Sequence, residues 1–161
     1  MSGYDFLNGV RVLEVAALGP SSLGGYLADM GAEVVKVEDA GGDGVRYAGN
    51  PAMGSPNGES LLHLRWNRGK RSIGVNLKSD AGKALFREMA AKADVVIEGM
   101  RAGILDRLGL GFEELKALNP AIVFCSVSGL GRYGPYAEMG SHGPSFDAFG
   151  ALSSINPYAL T

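Results

Sequence analysis

The chain has 161 residues with 15 Lys+Arg against 17 Asp+Glu, a net charge of −2, so one domain is expected and nothing in the charge balance calls for a nucleic acid partner. Hydrophobic residues at 46% and charged residues at 20% argue against disorder. No uncharged apolar run approaches the ~20 residues that a membrane helix needs. Residues 1–5 open no secretory pattern, and a single cysteine excludes an internal disulfide; a cytoplasmic, reducing setting is therefore expected.

The predicted elements follow in chain order. Residues 10–15, rich in valine, read as a strand, which Gly19-Pro20 ends. Ser21-Ser22 is an N-cap signal for a helix in which Leu23, Tyr26, Leu27 and Met30 recur at helical spacing, closed by Gly31. Residues 33–38 form a second strand. The stretch 39–58, dense in Gly, Asn, Pro and Asp, predicts a long loop of the kind that is usually functional or mobile. Ser60 caps a short helix through Leu61, Leu62 and Leu64. Residues 72–77 form a third strand, and Asp80 starts a helix with Leu85, Met89 and Ala93 on one side. Residues 94–98 are a fourth strand. Leu105, Leu108, Phe112, Leu115 and Leu118 suit short helices before Asn119-Pro120, and residues 121–127 make a fifth strand. Phe146, Phe149 and Leu152 suggest a final helix.

Strands that are almost wholly apolar, alternating with helices, predict an α/β fold with a mostly parallel sheet covered on both faces. Right-handed crossovers place the loops after the strands along one edge, where such sheets bind ligands. Function is therefore sought in residues 16–22, 39–58, 78–80, 99–103 and 128–143.

Strong catalytic signatures are missing: the sequence has no phosphate loop ending in Gly-Lys-Ser/Thr, no spaced Cys/His set and no Gly-x-Ser-x-Gly elbow. His63 reads as a helix-surface or packing residue. His142, among glycines, is either an ordinary loop residue or a neighbour of a ligand. Cys125, inside an apolar strand, reads as a small buried side chain. The turn from residue 16 to 22 offers backbone N–H groups to a phosphate or carboxylate, although many strand-to-helix turns look alike and bind nothing. Residues 65–71 carry four positive charges in seven positions (Arg65, Arg68, Lys70, Arg71), either a solvated surface or a cationic patch. Arg101 and Arg107 add two more near the end of the fourth strand. A polyphosphate carrying an adenine ring suits that arrangement.

The order and wording of five stretches resembles the family III CoA-transferases, the group that includes formyl-CoA transferase, carnitine CoA-transferase and α-methylacyl-CoA racemase. These are Arg11-Val12-Leu13-Glu14-Val15 with Gly19-Pro20; Leu27-Ala28-Asp29-Met30-Gly31-Ala32-Glu33-Val34-Val35-Lys36-Val37-Glu38; and Asn67-Arg68-Gly69-Lys70-Arg71-Ser72-Ile73 with Leu77-Lys78. Ala93-Asp94-Val95-Val96-Ile97-Glu98 follows, running on to Gly103-Ile104-Leu105-Asp106-Arg107-Leu108-Gly109. Last comes Asn119-Pro120 through Ser128-Gly129 to Tyr133-Gly134-Pro135-Tyr136.

The resemblance implies a Rossmann-like large domain, an interlocked dimer, acyl-CoA and a carboxylate as substrates, and no metal. It implies that Ala16, Ala17 and Leu18 line CoA, that Val75, Leu77 and Lys78 lie by its adenosine, and that Gly99, Met100 and Arg107 approach the nucleotide and pantetheine. In such transferases an aspartate attacks the acyl-CoA thioester and later carries CoA as an aspartyl thioester. That nucleophile is expected beyond Thr161 or on a partner chain, so no catalytic residue is assigned here. Asp147 matches an acidic accessory position, and His142 stays a lesser candidate.

The sequence departs from the family in two places. Glu98-Gly99-Met100-Arg101-Ala102-Gly103 stands where the family commonly has Glu-Asn-Phe-Arg-Pro-Gly. Ser145-Phe146-Asp147 stands where the racemase branch has Gly-His-Asp, and Phe146 cannot shuttle a proton. Residues 1–161 are accordingly read as the N-terminal CoA-binding part of the large domain, without the small domain and return segment. Alone the chain is expected to be inactive, and a homo-oligomer or a complex completing the enzyme is expected. The alternatives are a non-catalytic CoA or nucleotide module, a racemase fragment, and a structural remnant.

Overall fold

A computed structural model of the chain describes residues 5–47 and 60–140. Five strands, β1 (Arg11–Val15), β2 (Glu33–Glu38), β3 (Arg71–Gly74), β4 (Val95–Glu98) and β5 (Val123–Ser126), form one sheet in the order β3-β2-β1-β4-β5. All pairings are parallel, as expected. The connecting helices are α1 (Ser21–Asp29), α2 (Leu61–Asn67), α3 (Asp80–Ala90), α4 (Ile104–Arg107) and α5 (Phe112–Leu118), with a 3-10 turn at Gly44–Tyr47.

Alternation along the strands gives the sheet two dry faces. On one, Leu13, Val15 and Val96 pack with Phe86, Leu105, Leu110 and Leu115. On the other, Val12, Val34 and Ile97 meet Ala32, Leu23 and Leu27. The helices that supply those partners lie on opposite sides of the sheet, so its apolar runs are covered twice.

Several sequence expectations change. The third strand is shorter than residues 72–77. Val75 N–H still reaches Glu38 O at 2.7 Å, but Asn76 then takes the Lys78 amide on its side chain (3.0 Å) and the Ser79 hydroxyl on its carbonyl (2.9 Å). That turn leads into α3, whose N-cap Ser79 accepts the Gly82 amide at 3.1 Å. Val75 and Leu77 are buried although they lie outside the strand, so their apolar pattern reports burial rather than pairing.

The buried line of α3 is Gly82, Phe86 and Ala90, while Leu85 is exposed. In α1 the buried residues are Ser21, Gly24 and Gly25 rather than the large apolar ones, and Tyr26 is exposed. The glycines are there for clearance. A Cβ on Gly24 would stand 1.9 Å from Glu14 Oε2, and one on Gly25 would stand 2.8 Å from the Trp66 carbonyl of α2.

Cys125 is half-buried rather than buried, because β5 pairs on one side only among the described residues. The expected helix at Phe146, Phe149 and Leu152 lies outside the described residues, as do His142 and Asp147.

Candidate functional site

β1 is flanked by β2 on one side and β4 on the other, so the chain's crossovers leave it in opposite directions. In a parallel sheet this opens a crevice at the carboxyl ends of the two diverging strands. Here that crevice lies over the ends of β1 and β4, and two cavities fill it.

The first cavity, of about 420 Å³, brings together Ala16, Ala17, Val75, Leu77, Gly99 and Met100, all named from the sequence. The second, of about 440 Å³, lies beside it and takes Leu18, Pro20 and the segment from Val127 to Leu130. Ala17, Gly99, Met100 and Arg101 line both, so the two chambers meet along the end of β4. Gly99 makes this closeness possible. A Cβ there would stand 2.6 Å from Pro20 Cβ and 2.9 Å from Ala16 Cβ, below any ordinary contact.

Not every residue named from the sequence joins them. Lys78 is exposed and lines neither cavity. Arg107 is exposed on α4 and lines a separate groove of about 550 Å³ with Asp106, Arg132 and Tyr133. Arg132 is held there by Asp106 at 2.5 Å and lies over the Phe124 ring at 5.6 Å.

The turn between β1 and α1 has a backbone of its own kind. Leu18 adopts φ 56°, the left-handed region that costs a residue with a side chain about 1 kcal/mol or more. Ser21 and Ser22 do not cap α1. The Ser21 hydroxyl donates back to Ala16 O at 2.8 Å and that of Ser22 to Gly19 O at 2.6 Å. The amides of Ser21, Ser22 and Leu23 donate to Leu18, Gly19 and Pro20 carbonyls, at 3.0, 2.9 and 3.2 Å. Those three amides are therefore spent within the turn and are not open to an anion.

Behind the first cavity lies a set of buried charges that sequence reasoning passed over, of which Lys36 and Asp43 line the cavity itself. Glu14 and Lys36, directly paired in register, are 0% and 1% exposed. Lys36 Nζ donates to Ala16 O and to Ser21 Oγ (2.9 Å) and lies 3.4 Å from Glu14 Oε1. It also pairs with Asp43 Oδ2 at 2.9 Å, at an angle outside hydrogen-bond geometry. Lys70 completes the set, donating to Glu14 Oε2 (2.7 Å), Ser21 O (2.6 Å) and Asn67 Oδ1 (3.1 Å). Two carboxylates thus face two ammoniums, which is what makes burial of all four tolerable. Burial pulls the Lys70 ammonium below its usual range, partly opposed by Glu14.

Glu38 ends β2 in a similar way. Burial alone would raise its carboxyl, but hydrogen bonds from Arg46 (2.8 and 2.6 Å), from Ser72 and from the Asp43 amide (2.6 Å) prevail and lower it to about 2. Glu98, which ends β4, goes the other way. It is 1% exposed, and burial raises its carboxyl against a hydrogen bond from the Ser126 hydroxyl. Its Oε2 is without a partner among the described residues.

The basic run at residues 65–71 is not an open cationic patch. Arg68 pairs with Asp29, Lys70 with the buried Glu14, and Arg71 with Glu33 at 2.9 Å. Arg71 also begins β3, so the run sits toward the amino ends of the strands, away from the crevice. Arg101, noted in the sequence only as one charge near the fourth strand, is the cationic side chain shared by both cavities. His63 is half-buried in α2 and bonded to Asn67, as a packing residue; burial and then Arg46 lower its pKa. Among the described residues no cluster of three or more His, Cys, Asp or Glu is placed to hold a metal, and no helix is long and apolar enough to cross a membrane.

The signal for the missed lysine was present. Glu14 and Lys36 each interrupt an apolar strand that the two-faced sheet must bury. A charge in such a place has to find a buried partner.

An arrangement of apolar walls, two adjoining chambers and one shared guanidinium suits an elongated ligand with anionic and apolar parts. The chain is similar to the succinate–glutarate CoA-transferase of Agrobacterium fabrum, at 45% identity over 84% of this chain and 35% of that one. It is similar to the mouse α-methylacyl-CoA racemase at 38% identity over 94% of this chain and 37% of the relative. The chain therefore spans about a third of the length of these curated relatives. Among solved structures, a CAIB/BAIF family protein from Brucella suis superposes with a TM-score of 0.85 at 37% identity, over 94% of this chain and 40% of that one. With residues 7–159 matching the family profile as well, the chain belongs to CoA-transferase family III.

Proposed function

We propose that residues 1–161 form the CoA-binding N-terminal portion of an acyl-CoA:carboxylate CoA-transferase. The observation that carries this reading is the meeting of two chambers at Gly99, Met100 and Arg101, over the carboxyl ends of β1 and β4. In it, Val75 and Leu77 make the apolar wall for the adenosine, and Ala16 and Ala17 the wall behind the nucleotide. Arg101 meets a phosphate as a charge-assisted, fork-shaped donor. The pantetheine then runs past Gly99, where the absence of a Cβ leaves room, into the second chamber beside Leu18 and Val127.

The chemistry that goes with this binding is carboxylate nucleophilic catalysis. An aspartate carboxylate attacks the acyl-CoA carbonyl, the C–S bond breaks and CoA leaves as its thiolate, giving a mixed anhydride. The thiolate then attacks the aspartyl carbonyl, releases the first carboxylate and leaves an aspartyl-CoA thioester for the acceptor. None of the described residues is assigned that nucleophilic role. The relatives' activities support the reaction class, and the working particle in this reading is a cytoplasmic homo-oligomer or a complex that completes the enzyme.

Calorimetric titration with CoA tests the reading. The chain is expected to bind CoA, and Arg101→Met to bind it about tenfold more weakly, the ~1.5 kcal/mol of a charge-assisted hydrogen bond. No heat of binding with the unsubstituted chain would overturn it. Equal affinity in the variant would remove Arg101 from its assigned role.

A further inference from the structure

Resting on the CoA-binding reading, we infer that Lys36 is the positioning residue of this site. Its buried ammonium ties the turn after β1 to the loop after β2, and so sets the gap between two walls of the first cavity. Ala16 is the first residue beyond β1 and Ser21 the first of α1. By donating to the Ala16 carbonyl and the Ser21 hydroxyl, Lys36 holds both ends of the turn that contains Leu18 at φ 56°. The bond from Ser21 Oγ to Ala16 O, 2.8 Å, closes the triangle.

The other wall is held through Asp43. Its Oδ2 lies 2.9 Å from the Lys36 ammonium, while its Oδ1 accepts the Val45 amide at 3.0 Å and starts the 3-10 turn. One cation therefore joins segments that lie beyond the sheet ladder, because the β1–β2 pairing ends at Glu14 and Lys36.

Lys36 also lines the first cavity, which raises the question of direct contact with a ligand. An ammonium has three protons. Here the Ala16 carbonyl, the Ser21 hydroxyl and the two carboxylates of Glu14 and Asp43 surround it, and the side chain is 2% exposed. No donor is left over for a phosphate, so Lys36 acts through the turn and the loop.

Hydrogen–deuterium exchange on the chain, with CoA titrations beside it, tests the inference. In Lys36→Met, exchange is expected to quicken at residues 16–23 and 39–47 while α3 and β4 keep their protection. Ser21→Ala should loosen the first segment alone and Asp43→Asn the second alone, and these two carry the test should Lys36→Met not fold. CoA affinity in Lys36→Met should fall about tenfold with the salt dependence of binding unchanged. Faster exchange spread evenly over the sheet, or unchanged exchange at both segments, overturns the inference. So does a weaker salt dependence in Lys36→Met, which marks a lost phosphate contact. Failure of the unsubstituted chain to bind CoA would overturn the CoA reading instead, and the exchange results would still decide whether Lys36 clamps the two segments.

Discussion

At Gly99 a single missing Cβ decides how closely β4 approaches the turn after β1. Gly99→Ala would press a methyl against Pro20 and Ala16, both on the turn that lines the chambers. Overpacking of that kind costs about 1–3 kcal/mol. We expect chemical denaturation to show that loss and calorimetry to show weaker CoA binding. Read by resemblance alone, Gly99 presents as the loss of an expected asparagine amide. The structure adds the reason, a clash that is visible once Pro20 and Ala16 are placed.

Glu98 gives a second expectation at this scale. Its folded pKa is raised by burial, so as pH climbs past the ordinary carboxylate range the unfolded chain loses its proton first. Stability on this account falls with rising pH until Glu98 ionises in the fold as well. Glu98→Gln, which keeps an acceptor for the Ser126 hydroxyl, should gain stability relative to the parent as pH rises above the ordinary carboxylate range. Urea midpoints taken through that rise would check it, and parallel curves would count against the raised pKa.

Among elements, the loop after β2 shows how far reading could go. Composition marks residues 39–58 as a long functional connection, and residues 39, 42, 43 and 44 do line the first cavity. What composition could not show is that Glu38 and Arg46, eight positions apart, lock its first part. Glu38 titrates at about 2 in the fold against an ordinary 4.5. Its contribution is therefore fully present above pH 4.5 and lost as pH falls toward 2. Arg46→Met should cost about 2 kcal/mol at neutral pH, allowing for the guanidinium's partial exposure, and should flatten the acid limb of the stability curve. Denaturation at pH 7 and pH 3 separates the two effects.

The strands were legible because a sheet covered on both faces writes long apolar runs. The helices' buried lines were less so. In α1 two of the three buried positions are glycines facing Glu14 and α2, and hydrophobic spacing is silent about residues chosen for clearance. The basic run misleads for a related reason. Arg68, Lys70 and Arg71 are neighbours in sequence but answer to Asp29, Glu14 and Glu33 on three different elements.

Taken whole, the order β3-β2-β1-β4-β5 puts both cavities at the edge where topology opens a crevice. That much followed from alternating elements and right-handed crossovers. The division of the edge into two chambers did not, since it depends on where the backbone after β5 folds back over Pro20 and Gly99. A ligand seated across both should stabilise the fold as a unit. CoA at a hundred times its dissociation constant is expected to add about 2.7 kcal/mol to unfolding, read as a rise in thermal midpoint with concentration. A midpoint that stays fixed as CoA rises would speak against binding to the folded state.

The shared register of β1 carries a last consequence. Its residues face Lys36 on one neighbour and Ile97 on the other through the same Glu14. Deleting one residue within β1 would turn each side chain to the opposite face. Glu14 would enter the cluster around Phe86 and Leu115, and an apolar residue would be left beside the two lysines. Core and site would fail together, so this short strand should tolerate conservative substitution far better than any change in length.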